Sequence, residues 1–131
     1  MARFPLDLDR GIILVEVVFV GRNKKIIPVK MVMDTGASIT TIPVEVAVAL
    51  GANPAKSRRR IEMTTASGME YLPMVTIAGV KFFNFEINNV DVVCHTLPPG
   101  SAVLGLLGLN ILKRFNIHLK FRENLLEVFD A

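Results

Sequence analysis

The chain has one cysteine (Cys94), no tryptophan and one tyrosine (Tyr71). A single thiol excludes an intrachain disulfide and leaves the redox compartment open. Beside His95 it suggests nucleophile chemistry, but adjacent residues on a strand point to opposite faces. No third partner is evident, so Cys94 reads as a small buried hydrophobe. His95 and His118 lack metal-ligand spacing to each other or to an acidic cluster. Both read as structural, and no metal or other cofactor is expected. No apolar run reaches the roughly 20 residues that span a bilayer. The opening Met1-Ala2-Arg3-Phe4-Pro5-Leu6-Asp7 has an acid and a proline where a signal peptide carries its apolar core. The expectation is a cytoplasmic chain without membrane association. Aromatics are also missing around the basic cluster Lys56-Ser57-Arg58-Arg59-Arg60, and the net charge is only +3. Without interleaved rings for base stacking, that cluster reads as a solvated loop, and no nucleic-acid partner is expected.

What is present is apolar and strand-like. Hydrophobic residues make up 51% of the 131 positions and charged ones 21%, which suits a single domain over 1–131. Ile12 to Val20 reads as a strand with Glu16 as its one charge, and 21–24 as a turn. Ile26 to Met33 returns as a second strand. Pro43 and Gly51 punctuate a short helix from Val44 to Leu50, although its Val-Glu-Val-Ala-Val-Ala spelling also suits a strand. Strands are expected over 61–65 and 69–75 around the turn Ala66-Ser67-Gly68. Val75 to Ile77 and Val80 to Ile87 should form a further pair, turning at Ala78-Gly79. Val90 to Thr96 is another strand, and 97–101 is a Pro/Gly loop. Two last strands, 116–122 and 125–129, turn at Glu123-Asn124. The same plan thus occurs twice, as a strand pair, a strand into a loop, then a short helix. A small closed β-barrel with internal two-fold symmetry would leave such a pattern.

The most informative segment is Asp34-Thr35-Gly36-Ala37-Ser38, which follows the apolar run ending at Met33. A carboxylate at the tip of a buried strand costs several kcal/mol if unpaired. A fold keeps it only where hydrogen bonds or a function offset that cost. Taken alone, Asp-Thr-Gly could also be a strand-to-turn junction capped by Asp34. About seventy positions later comes Gly105-Leu106-Leu107-Gly108-Leu109-Asn110-Ile111-Leu112. Its glycines suit close backbone approach, and Asn110 is positioned to cap a helix running to Arg114.

Asp-Thr-Gly, the Gly108 segment in this order and spacing, and Thr65-Ala66-Ser67-Gly68 between them together resemble bacterial and archaeal retropepsin-like aspartic proteases. The resemblance covers about Gly11 to Phe129. It implies an all-β fold, a small closed barrel with one or two short helices and a single lobe per chain. It also implies an endopeptidase acting on peptide or protein substrates. Such an enzyme needs two facing carboxylates, one protonated and one ionised. The chain has one Asp-Thr-Gly and no Asp-Ser-Gly, so the partner carboxylate must come from a second copy in a homodimer. By the same resemblance Asp34 is catalytic, and Thr35 and Gly36 support the loop. Ala37, Ser38, Ala66, Ser67, Gly68 and Leu107 contact substrate, and residues 66–68 form the tip of a flap. Viral relatives usually carry an acid where Ser38 stands and an arginine where Leu109 stands, and the two pair. Both are absent here, so neither is left buried alone. The competing reading is a retropepsin-like module that dimerises or binds peptides without cleaving them.

Overall fold

The structure, a computed structural model, describes residues 1–9, 11–65, 67–100 and 105–130. Six strands form a ring. In spatial order they are β3 (Ile12–Val20), β4 (Ile26–Met33), β9 (Gly105–Leu107), β5 (Thr41–Ile42), β8 (Phe85–Cys94) and β7 (Gly68–Phe82). The ring closes because β7 also pairs with β3, from Val17 opposite Phe82 to Val20 opposite Gly79. Closure removes the unpaired edges that an open sheet would expose. Two strands attach outside the ring, β2 (Asp7–Asp9) on β3 and β6 (Arg60–Thr65) on β7. A second sheet joins the ends of the chain in the order β1 (Ala2–Pro5), β11 (Leu125–Asp130), β10 (Phe115–Lys120). The helices are short: α1 (Val44–Ala49), α2 (Leu109–Leu112) and a 3-10 turn at Pro54–Lys56. The all-β closed barrel expected from sequence is therefore present.

Period-two patterning fills the core. Val15, Val17 and Phe19 of β3 point inward, and Glu16 between them stays exposed. They meet Val29, Met31, Ile42, Phe82, Leu107 and Ile111. An aromatic chain then ties the barrel to the terminal sheet. Phe4 stacks on Phe83 with centroids 4.1 Å apart, while Phe82 and Phe85 contact Phe115 at 5.1 and 5.0 Å. Such pairs stabilise beyond their buried area, by about 0.5–1.5 kcal/mol each.

Two sequence expectations change here. Ala78-Gly79 is not a turn, because β7 runs through it. Gly79 pairs with Val20 of β3 instead, where a β-carbon would sit in ordinary contact, 3.4 Å from Val20 Cβ. The chain turns at Phe83-Asn84, between the paired Phe82 and Phe85, with Phe83 at φ +56°. Phe83 takes that unfavourable backbone conformation while its ring rests on Phe4 and Phe82. Consequently β8 is one strand from Phe85 to Cys94, where the sequence suggested two pieces. The expected helix near Pro43 does form, and Leu50 caps its C-terminal end.

The terminal sheet centres on a buried charge. Glu127 on the middle strand is 3% exposed. Its carboxylate meets Arg3 Nε at 2.8 Å, Lys120 Nζ at 2.8 Å and His118 Nδ1 at 3.9 Å. The Lys120 hydrogen bond, helped by Arg3 and opposed by burial, holds the Glu127 carboxyl below the usual carboxylate range. A carboxyl lowered by folding adds stability above its unfolded pKa and loses it as pH falls through the folded one. Glu127→Gln should therefore lower Tm at neutral pH, and the gap to wild type should close on acidification below about pH 4. Thermal melts at stepped pH check this, and a gap that does not change with pH would contradict it.

Candidate active site

Asp34 leaves the end of β4 in a tight turn. Its N–H donates to Leu107 O on β9 at 2.9 Å, and its carbonyl accepts from Ala37 N at 3.2 Å. The carboxylate Oδ1 accepts from Gly36 N at 2.9 Å. Glycine suits this close approach, because a β-carbon at 36 would lie 3.1 Å from that same oxygen and crowd it. Asp34 is half-buried, while Thr35, Gly36 and Ser38 are exposed and Ala37 is buried. The loop thus presents one oriented carboxylate at the surface of the chain.

A second loop grips the first from behind. Leu109 N donates to Ala37 O at 2.8 Å, and Asn110 N donates to Ser38 O at 3.1 Å. Gly108 N donates to Thr40 Oγ1 at 3.1 Å, and Thr40 Oγ1 in turn donates to Asn110 Oδ1 at 2.8 Å. Thr40 N reaches the same Asn110 oxygen at 2.9 Å, and Asn110 Nδ2 donates to Asp91 O at 2.8 Å. Asn110 is therefore not the helix cap that its position suggested. Gly108 is the N-cap residue, and the Asn110 side chain instead satisfies part-buried backbone groups at Thr40, before β5, and at Asp91 on β8. This clasp fixes the height of the Asp34 loop over the barrel.

Between the barrel and the β6–β7 hairpin lies a cavity of about 470 Å³, lined among others by Thr41, Met63, Leu72, His95, Leu97 and Leu106. Its floor includes β9, the strand that receives the Asp34 amide. Ser67 at the hairpin turn also borders it. Ala66 lies outside the described residues, and Gly68 takes φ +108°, a conformation suited to glycine. The structure thus brings Ser67 and the barrel wall together around this cavity, but not Leu107. Leu107 is fully buried in the core, and strand alternation gives the cavity Leu106 instead. His95, read as structural, borders the cavity. Its neighbour Cys94 faces the core with a thiol pushed up to about 11 by burial, as befits an inert packing residue. Met63 and Leu72 were missed because only the hairpin's register shows which of its residues face inward, and Thr41 and Leu97 because β5 and the loop after β8 reach this cavity only through the tertiary fold. The alternation of 61–65 and 69–75 hinted at this without fixing the face.

A larger share of charge surrounds a separate cavity of about 450 Å³, between Leu50–Asn53 and the root of the hairpin, which includes Arg22, Lys56 and Arg59. Neither cavity is lined by Asp34 or its loop, but the first shares β9 with it, since Leu106 lines that cavity and Leu107 O accepts from Asp34 N. Among the described residues no helix is long and apolar enough to cross a membrane. Ser38 and Leu109 both sit at the surface, with Leu109 40% exposed, so no buried ion pair is missing its partner.

The family model for gag-polyprotein putative aspartyl protease matches residues 21–114, a span that contains the Asp34 loop, the hairpin and Gly108. The fold is similar to the crystal structure of a retropepsin-like aspartic protease from Rickettsia conorii. The two share 24% identity and a TM-score of 0.73, with 97% of this chain and 89% of that one covered. It also resembles the retroviral protease-like domain of Ddi1 from Leishmania major (18% identity, TM-score 0.56, 89% and 87% covered). Simian foamy virus (mac) protease is more distant, at 14% identity and TM-score 0.51, with 76% and 91% covered. A search of curated proteins finds no match. With the family model covering most of the chain and the fold agreeing, the chain belongs to the retropepsin-like aspartic protease family.

Proposed function

We propose that the protein is an aspartic endopeptidase whose active site forms between two copies of the chain, each contributing Asp34. The observation that carries this reading is a surface loop holding one carboxylate oriented by Gly36 N–H and hung from β9, the strand whose Leu106 lines the apolar cavity under the hairpin. A rigid carboxylate is a poor investment for a module that only binds. It is what water activation requires.

In the dimer the two Asp34 carboxylates approach across the two-fold axis and share one proton, since like charges that close do not both ionise. The ionised member takes a proton from the bound water as that water attacks the scissile carbonyl carbon. The protonated member gives its proton to the carbonyl oxygen. The tetrahedral diol then collapses: one diol hydroxyl returns its proton to the ionised carboxylate while the protonated one gives its proton to the leaving nitrogen, so the pair again holds one proton. No covalent enzyme intermediate forms. Thr35, exposed beside the carboxylate, reaches the partner's loop and holds the pair in plane. The hairpin acts as a flap, with Ala66, Ser67 and Gly68 at its tip, and the backbone at Ala37 and Ser38 aligns the peptide. The cavity suits a bulky apolar side chain of the substrate.

Dilution tests this directly. Specific activity on a peptide library should fall as protein concentration drops through the dimer dissociation constant. Full activity in a species that sediments as a monomer would exclude a shared site.

A further inference from the structure

The β6–β7 hairpin has an unusual attachment. From Thr65 opposite Gly68 to Arg60 opposite Pro73, β6 and β7 pair only with each other. From Met74 onward β7 pairs with β8 instead. The β7 arm therefore continues into the barrel, but the β6 arm stands at the edge of the sheet and needs a separate anchor.

That anchor lies in the segment first read as a solvated basic loop. Met74 N donates to Arg59 O at 2.9 Å, and Ser57 Oγ donates to Met74 O at 2.6 Å. Arg59 Nη2 then reaches along β7 to the barrel. It donates to Thr76 Oγ1 at 2.7 Å and to Asp91 Oδ1 at 3.1 Å, and Thr76 Oγ1 donates to the same carboxylate at 2.7 Å. Thr76 and Asp91 sit opposite each other on β7 and β8. Arg59 and Thr76 hold the Asp91 carboxyl below the usual range, against the effect of burial. The backbone carbonyl of Asp91 is also where Asn110 Nδ2 binds, and Asn110 grips Thr40 behind the Asp34 loop. One residue thus stands between the root of the hairpin and the clasp of the carboxylate loop.

We propose that Arg59 is a positioning residue, whose guanidinium pins the edge arm of the hairpin to the Thr76–Asp91 rung and so sets how the hairpin closes over the cavity lined by Met63, Leu72 and Leu106. The catalytic consequence rests on the protease reading above; the pin itself does not. Arg59 and Asp91 are each about half exposed (48% and 45%), and ion pairs of that exposure add little to global stability. The effect is therefore local.

Hydrogen exchange on the full chain tests it. In Arg59→Ala, amides at 61–64 and 69–72 should exchange about tenfold faster, with those of β10 and β11 unchanged. Asp91→Ala should do the same, and the double variant should add little further, because both remove one contact. Arg59→Lys keeps a charge near Asp91 but not the fork that spans both partners, so it should fall between. With peptide, KM should rise about tenfold at nearly constant kcat, as expected when productive closure is weakened rather than the chemistry. Hairpin exchange unchanged by Arg59→Ala, or exchange raised evenly across the chain, would overturn the pin. Should wild type cleave no peptide, the protease reading fails, and the exchange data still decide the pin.

Discussion

Asp34→Asn should fold like wild type and lose peptidase turnover by about a thousandfold or more. The amide oxygen of asparagine can still accept the Gly36 N–H that Asp34 Oδ1 accepts at 2.9 Å, so the turn keeps its geometry. What disappears is the carboxylate that exchanges a proton with water and substrate, a contribution of roughly 10²–10⁴ in rate for one acid–base group. The dyad is broken in both halves of the dimer, so the upper end applies. In wild type, kcat/KM should pass through a maximum with pH, because only the singly protonated pair works. Steady-state kinetics with matched thermal melts check this. Turnover retained in a folded Asp34→Asn would refute the mechanism.

Gly108→Ala should damage stability and activity together. The backbone at Gly108 is ordinary, with φ −98° and ψ −179°, so alanine meets no conformational barrier there. The obstacle is space. A β-carbon would lie 2.7 Å from Ile39 C, 2.8 Å from Ala37 O and 2.9 Å from Thr40 N. All three are backbone atoms of the carboxylate loop, so none can swing aside as a side chain would. Overpacking of this kind costs about 1–3 kcal/mol, a Tm loss on the order of 10 °C for a domain of this size. Relief requires moving the Asp34 loop, so turnover should fall even at temperatures where the variant is folded. Melting and kinetics at low temperature separate the two effects. Unchanged melting and activity would mean that the loops are looser than their contacts imply.

The parts of this site that a short motif encodes were legible in sequence. Gly36 stands where backbone approaches the Asp34 carboxylate and Gly108 where backbone approaches backbone, and such close approach leaves glycine in fixed places beside Asp34. The β6–β7 hairpin was visible because Ala66-Ser67-Gly68 interrupts two alternating runs. Features that depend on strand register were not visible. Gly79 reads as a turn signal until β3 is found packed against it, and Leu107 differs from Leu106 only in which way it faces. Asn110 has the composition of a helix cap, yet its partners Thr40 and Asp91 lie 70 and 19 positions away. Arg59 was lost within a run of like charges, because its acceptors Thr76 and Asp91 become neighbours only once β7 changes partner.

Mixing folded Asp34→Asn into wild type at fixed total concentration tests the shared site most directly. If each active site needs one Asp34 from each of two subunits, and chains pair at random, activity should follow the square of the wild-type fraction. An equal mixture would then retain about a quarter of the starting activity. A linear fall, with about half retained, would show that each chain works alone and would contradict the two-chain dyad.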